Sequence, residues 1–380
     1  MAYTTTTEGT KGDIKLAPED FIVEEVRDNG VSSVNYSFNE KIRDIFSKVT
    51  EKNIKKYIEC DLVKKNWETP KSIKFIAKKL GISEKRIRYA GLKDKKAITS
   101  QRISIERKMI RDVKKVRIKD LILKNFKYTD ERLSIGGLKD NRFIITVRNC
   151  SQKNKNLKKT VSETAKQIEE HGIYNYFGEQ RFSRANIEIA ESIIKGDYEK
   201  AVKILLTLKG ERESPDLIEA RNRIDENWGE WKSAFKELPK RMWIESAVLN
   251  HLVKYPNDFI GAFRKIRKST RKIIINAYQS YLFNMMIDEF KDEFESLPLI
   301  GYDSEVKEKR VDEFLKSKDI SREMFRIKSM PEMNCRGTER KVKIYPENIE
   351  LKKVKGNNYT VAFSLSKGCY ATVVMREFIK

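Results

Sequence analysis

The stretch Gly91-Leu92-Lys93-Asp94-Lys95-Lys96-Ala97 sets one aspartate among three lysines in a turn-like segment. Nearby cations favour the ionised form of a carboxyl group. Asp94 therefore reads as a standing anion, fit to be a nucleophile or the electrostatic partner of a developing cation. The same residues also make a solvated hairpin turn, for which aspartate is a good former. A second stretch, Asn175-Tyr176-Phe177-Gly178-Glu179-Gln180-Arg181-Phe182, interleaves aromatic rings with Asn, Gln and Arg. Such rings stack a splayed base while polar neighbours bond its edge; equally, two phenylalanines here pack into a core. A third, Asn276 to Asn284, puts Ala277, Tyr281 and Asn284 on one helical face and Tyr278, Leu282 and Met285 on another, foremost a packing pattern. The basic residues before it (Arg264, Lys265, Arg267, Lys268, Arg271, Lys272) are better phosphate contacts. The run Arg107, Lys108, Arg111, Lys114, Lys115 and Arg117 is similar, and either run also reads as a solvated face.

The rest of the composition narrows the chemistry. Lys plus Arg is 79 against 56 Asp plus Glu, a net charge of +23, with 36% of residues charged and 39% hydrophobic. A Lys/Glu-rich, heat-adapted surface tends to balance its signs. An excess this large points to a polyanionic partner, because cations that neutralise phosphates release condensed counterions. The four cysteines, Cys60, Cys150, Cys335 and Cys369, form no C-x-x-C pair, and the two histidines are His171 and His251. That argues against a zinc site, a disulfide framework or a multi-histidine metal centre, and for a reducing cytoplasm. No G-x-x-x-x-G-K-[ST] or G-x-G-x-x-G is present, so neither a nucleotide-phosphate loop nor a dinucleotide fingerprint is expected. No apolar run approaches the roughly 20 residues that span a bilayer, and Met1 to Thr7 is no apolar signal segment. What remains is cofactor-free chemistry on RNA or DNA.

The elements that must position these residues follow from periodicity. Residues 14–27 read as a strand carrying Pro18 and Phe21-Ile22-Val23. Thr69 and Pro70 look like an N-cap and a first-turn proline, with Ile73, Ile76, Ala77 and Leu80 at helical spacing and Gly81 closing the helix. Arg86 to Ala90 and Ala97 to Ile105 read as strands on either side of the Asp94 turn. Residues 142–148 read as another strand, and Leu157, Val161, Ala165 and Ile168 as a helical stripe stopping near Gly172. From about 186 to 330 the texture is helical. Tyr359 to Leu365 and Tyr370 to Arg376 then read as a hairpin around Ser366-Lys367-Gly368. With 380 residues and about 150 per domain, strand-rich ends around a helical middle suggest an α+β domain interrupted by an insertion.

Taken together the motifs resemble the TruD family of tRNA pseudouridine synthases. The matching runs are K-L-A-P-E-D-F-I-V-E-E from Lys15, A-G-L-K-D-K-K-A-I-T-S-Q from Ala90, N-Y-F-G-E-Q-R-F from Asn175, A-Y-Q-S-Y-L-F-N, and G-C-Y-A-T-V-V-M-R-E ending at Glu377. The resemblance implies a cofactor-free isomerase that turns uridine into pseudouridine in tRNA, typically at position 13, acting as a monomer with neither metal nor membrane. It puts Asp94 at the catalytic position, Lys15 beside it, and Phe21, Asn175 and Phe177 around the base. It implies an α+β fold: a pseudouridine-synthase domain with a mixed, largely antiparallel sheet over 1–187 and 331–380, an inserted, mainly helical TRUD domain over 188–330, and a cleft between the two. Two positions depart from the pattern: Asp140 stands where a glycine is expected before Asn141, and Ser366 where a proline is common. The competing reading is a non-catalytic structured-RNA binder or chaperone on the same fold.

Overall fold

The computed structural model describes residues 1–28, 30–35, 55–106, 108–134, 136–210, 213–305 and 309–380. The chain divides into two compact units, one of Tyr3–Ile173 with Ile344–Lys380, the other of Met1–Ala2 with Tyr174–Lys343.

The first unit is built on a mixed sheet. Its strands in chain order are β1 (Phe21–Arg27), β2 (Gly30–Ser32), β3 (Tyr57–Lys65), β4 (Ile87–Tyr89), β5 (Ile98–Glu106), β6 (Leu121–Thr129) and β7 (Asp140–Val147). Two more, Glu347–Lys355 and Asn358–Ser366, complete it. The spatial order is Glu347–Lys355, Asn358–Ser366, β7, β1, β5, β3, β6, with β2 paired to β1 and β4 to β5. Only the β1–β5 pair is parallel among the described residues; the others are antiparallel. The expected mixed, largely antiparallel sheet of an α+β protein is what forms.

Alternation decides what each face does. Ile58, Cys60 and Leu62 of β3 and Ile103 and Ile105 of β5 pack with Ile73, Ile76, Ala77 and Leu80 of the helix Thr69–Leu80. Gly81 ends that helix in the left-handed conformation, φ 62°, which glycine adopts without steric cost. The same sheet face turns polar toward its middle. Gln101 lies opposite Leu62, Thr99 opposite both Lys64 and Val23, and Asn141 opposite Glu25. This polar band is where the Asp94 loop rests.

Three local expectations are corrected. The strand read over 14–27 begins only at Phe21; Pro18–Asp20 is a 3-10 turn, held by Asp20 accepting from the Ala17 N–H and the Arg148 guanidinium. Thr69 is the first residue of its helix rather than the cap, because its hydroxyl is engaged by the sheet; Glu68 takes the cap position. Residues 370–376 are not a strand: Ala371–Ile379 is a helix. The β-branched pair Val373-Val374 imitates a strand, but Ala371, Val374, Met375 and Phe378 fall at helical spacing and are buried. Glu377 on this helix accepts from the Thr4 and Thr5 amides and the Thr5 hydroxyl, tying down the segment that leads to Lys15. The two departures from the family pattern, Asp140 and Ser366, are register partners across β7 and the last strand.

The second unit is mainly helical. Helices cover Arg184–Ile194, Tyr198–Thr207, Pro215–Glu226, Trp243–Lys254 and the long Lys268–Phe290, alongside shorter ones. The long helix is the core, burying Ile274, Ala277, Tyr278, Leu282, Phe283, Met286 and Ile287. A small antiparallel pair, Ser296–Leu299 with Thr338–Lys341, completes the unit. No helix among the described residues is long and apolar enough to cross a membrane.

Candidate active site

In the sheet unit, three of the expected site residues meet. The Lys15 ammonium lies 3.1 Å from Asp94 Oδ1 and 3.9 Å above the centre of the Phe21 ring. Lys15 adopts a left-handed backbone, φ 61°, a conformation non-glycine residues enter at a cost of roughly 1 kcal/mol. Phe21 is 2% exposed and meets Phe143 edge-on, with ring centres 6.1 Å apart. Its ring is therefore a platform for the Lys15 cation. The Asp94 side chain is 38% exposed and that of Lys15 14%. The carboxylate is reachable, and its cation is largely enclosed.

The loop that presents Asp94 is fixed through its main chain. Gln101 donates from Nε2 to the Gly91 carbonyl, 3.0 Å. Thr69 donates its hydroxyl to Gln101 Oε1, 3.1 Å, and accepts the Lys93 N–H, 3.2 Å. The Lys93 side chain reaches down to Asn141 Oδ1, 2.5 Å, and Glu25 Oε2, 3.5 Å. Burial pushes the Lys93 ammonium down from the usual lysine range, and the Glu25 carboxylate opposes that shift. Glu25 also accepts from Arg27 Nε, 3.0 Å. Lys64 donates to the carbonyls of Trp67, Lys93 and Asp94.

In the helical unit, Asn175 and Phe177 are joined by Arg340. Asn175 is 4% exposed; its Nδ2 donates to the Lys341 carbonyl, 2.9 Å, and its Oδ1 accepts from Arg340 Nη2, 2.5 Å. The Arg340 guanidinium sits 4.2 Å above the Phe177 ring, while Phe283 meets that ring edge-on at 5.7 Å. Phe177 is only 6% exposed. Its main chain is gripped by one side chain: Asn284 accepts the Phe177 N–H at 2.8 Å and donates to its carbonyl at 3.0 Å. Asp94, Lys15 and Phe21 thus lie in one unit and Asn175 and Phe177 in the other. Of the basic residues, Arg271 is structural, 6% exposed with its Nη1 2.5 Å from Glu332. Arg267 lies over the exposed Trp243 ring at 5.4 Å. Arg107 falls outside the described residues.

Sequence reasoning missed Lys64, Glu25, Asn141, Asn284 and Arg340. For Lys64 a signal existed: the inward parity Ile58, Cys60, Leu62 ends in a lysine. For Arg340, within Glu339-Arg340-Lys341, none did.

The sheet unit thus presents a reachable aspartate, paired with a lysine and carried on a loop anchored through its main chain. The family model described as tRNA pseudouridine synthase D (TruD) matches residues 1–297 and 290–378. A protein of Methanopyrus kandleri named "Probable tRNA pseudouridine synthase D" is 33% identical over 342 residues, 84% of either chain. One of Methanocaldococcus jannaschii, with the same name and the number 1, is 32% identical and covers 98% of this chain and 96% of its own. A crystal structure named "Putative tRNA pseudouridine synthase D (TruD)", from Methanosarcina mazei, superposes with a TM-score of 0.77 at 26% identity, covering 100% of this chain and 96% of that one. The chain belongs to the tRNA pseudouridine synthase D (TruD) family, and is an isomerase of the pseudouridine-synthase class.

Proposed function

We propose that this enzyme isomerises a uridine of tRNA, at position 13, to pseudouridine, with Asp94 as the catalytic carboxylate and without a cofactor. The observation that carries this reading is the Lys15–Asp94 ion pair, with the carboxylate half-exposed on an anchored loop.

The chemistry asks for little else. The C1′–N1 bond breaks, the uracil turns, and a C1′–C5 bond forms. N1 gains a proton and C5 gives one to solvent, so nothing is oxidised and no group leaves. The uridine must leave its stack to expose C1′. A carboxylate is needed at the sugar, either to attack C1′ or to take a sugar proton, and both routes need it anionic and fixed. Lys15 supplies a charge-assisted hydrogen bond that orients it. Phe21, beside Asp94 in the sheet unit, and Asn175 in the helical unit are each proposed as base-binding residues. Phe177, with its ring under the Arg340 guanidinium, is proposed as the platform for a planar cation on which a base can stack. We propose the catalytic domain over 1–187 and 331–380, the inserted domain over 188–330, a cytoplasmic location for the protein, and tRNA as the partner of a monomer.

The test is incubation of the full chain with tRNA carrying tritium at uridine C5, followed by mapping of the product. Tritium release with pseudouridine at position 13 is expected. Release with product elsewhere would remove the position, and no release would remove the activity.

A further inference from the structure

Lys64 is 0% exposed, at the end of the strand face that carries Ile58, Cys60 and Leu62. An apolar side chain would be the ordinary occupant, because a buried ammonium is costly unless its donors are satisfied. An ammonium has three donors. Here they meet three main-chain carbonyls: Asp94 at 2.6 Å, Trp67 at 2.7 Å and Lys93 at 3.3 Å. One cation thus joins the loop carrying Asp94 to the turn that opens the helix Thr69–Leu80. The Asp94 side chain hangs from the residue so gripped, and charge-assisted bonds of this length are the strong ones.

We propose that Lys64 is a positioning residue: its ammonium locks the Lys93–Asp94 main chain so that the carboxylate meets the uridine, and the lock opens when the ammonium loses a proton. The inference rests on the reading of Asp94 as catalytic. The charged groups that act on Lys64 are Asp94 and Lys93 of the loop. Its neighbours in the sheet, Thr99 and Leu121, carry no charge, and Glu68 beside Trp67 is engaged with Lys71 and Lys95.

Burial lowers the Lys64 ammonium from 10.5 to about 8, against the pull of Asp94 and with the push of Lys93. Two opposite slopes follow. Between about pH 8 and 10.5 the unfolded chain binds the proton that the folded chain has lost, so this group's contribution to stability rises with pH. Over the same interval the lock loses a donor, so the rate falls.

The experiment is single-turnover tritium release by wild type, Lys64→Met and Asp94→Asn from about pH 6.5 to about pH 9.5, with melting temperature and tRNA affinity at each point. Wild type is expected to lose rate above about pH 8 while its melting temperature does not fall with it, because the Lys64 contribution to stability rises there. Lys64→Met is expected to be about 10- to 100-fold slower at neutral pH, with unchanged affinity and no alkaline fall, since a loop displaced by about 1 Å costs on that order. A Lys64→Met enzyme with the wild-type rate, or with the alkaline fall intact, overturns the lock. Should that variant not fold, the wild-type profile decides: a rate flat to about pH 9 overturns the proposal. Asp94→Asn separates the two claims. Its inactivity beside a normal Lys64→Met removes only the lock, whereas its activity removes the reading of Asp94.

Discussion

Around Asp94 the main chain is tied and the side chain is left half-exposed; around Asn175 and Phe177 both are tied. The Asp94 loop hangs on Gln101, Thr69 and Lys64, side chains rising from the polar band of the sheet and the adjoining helix. Asn175 has both ends of its amide engaged, and Phe177 has its main chain on Asn284 and its ring under Arg340. The first arrangement uses buried polar groups to hold a loop whose one carboxylate stays accessible. The second spends its aromatic and amide groups on holding an arginine. The lesson is that motif residues of similar prominence do different physical work: one is presented, the others support.

That difference can be broken by substitution, with the larger effect in the supporting region. Phe177→Ala removes a ring that is 6% exposed, and truncation of a buried phenylalanine costs about 3–5 kcal/mol. The expected outcome is a lowered urea midpoint together with lowered activity; a variant of wild-type stability would mean the ring is not a structural platform. Lys15→Met should do the reverse. Its pair with Asp94 is partly solvated, so stability should move by no more than about 1 kcal/mol. The single-turnover rate should drop about 100-fold, the scale of losing one preorganised charged partner. Equal losses of stability in the two variants would erase the contrast.

Much of this was legible in the sequence where local pattern and tertiary need agree. The helix Thr69–Leu80 and its Gly81 cap follow from spacing and turn chemistry, and β5 from its β-branched residues, Ile98, Thr99, Ile103 and Ile105. Where one residue serves two demands, local reading fails. Thr69 looks like a cap, yet its hydroxyl bridges Gln101 and the Lys93 amide, a demand set by a strand about 30 residues away. Val373 and Val374 suggest a strand, but tertiary burial of one face makes a helix. Asp94, Lys15 and Phe21 lie in separate motifs, and nothing local says that their side chains converge; resemblance to a family supplied that expectation. Asn284 sits in a helix whose pattern is packing, so its grip on the Phe177 main chain is visible only in three dimensions. Arg340 has no periodic or motif signal at all.

The account turns on the carboxylate of residue 94. Single-turnover release of C5 tritium by Asp94→Asn, compared with wild type at matched tRNA saturation, tests it most directly. The substitution keeps shape and removes the charge. The account predicts a rate below about one thousandth of wild type, with tRNA affinity and melting temperature little changed. Substantial tritium release by the variant would contradict it.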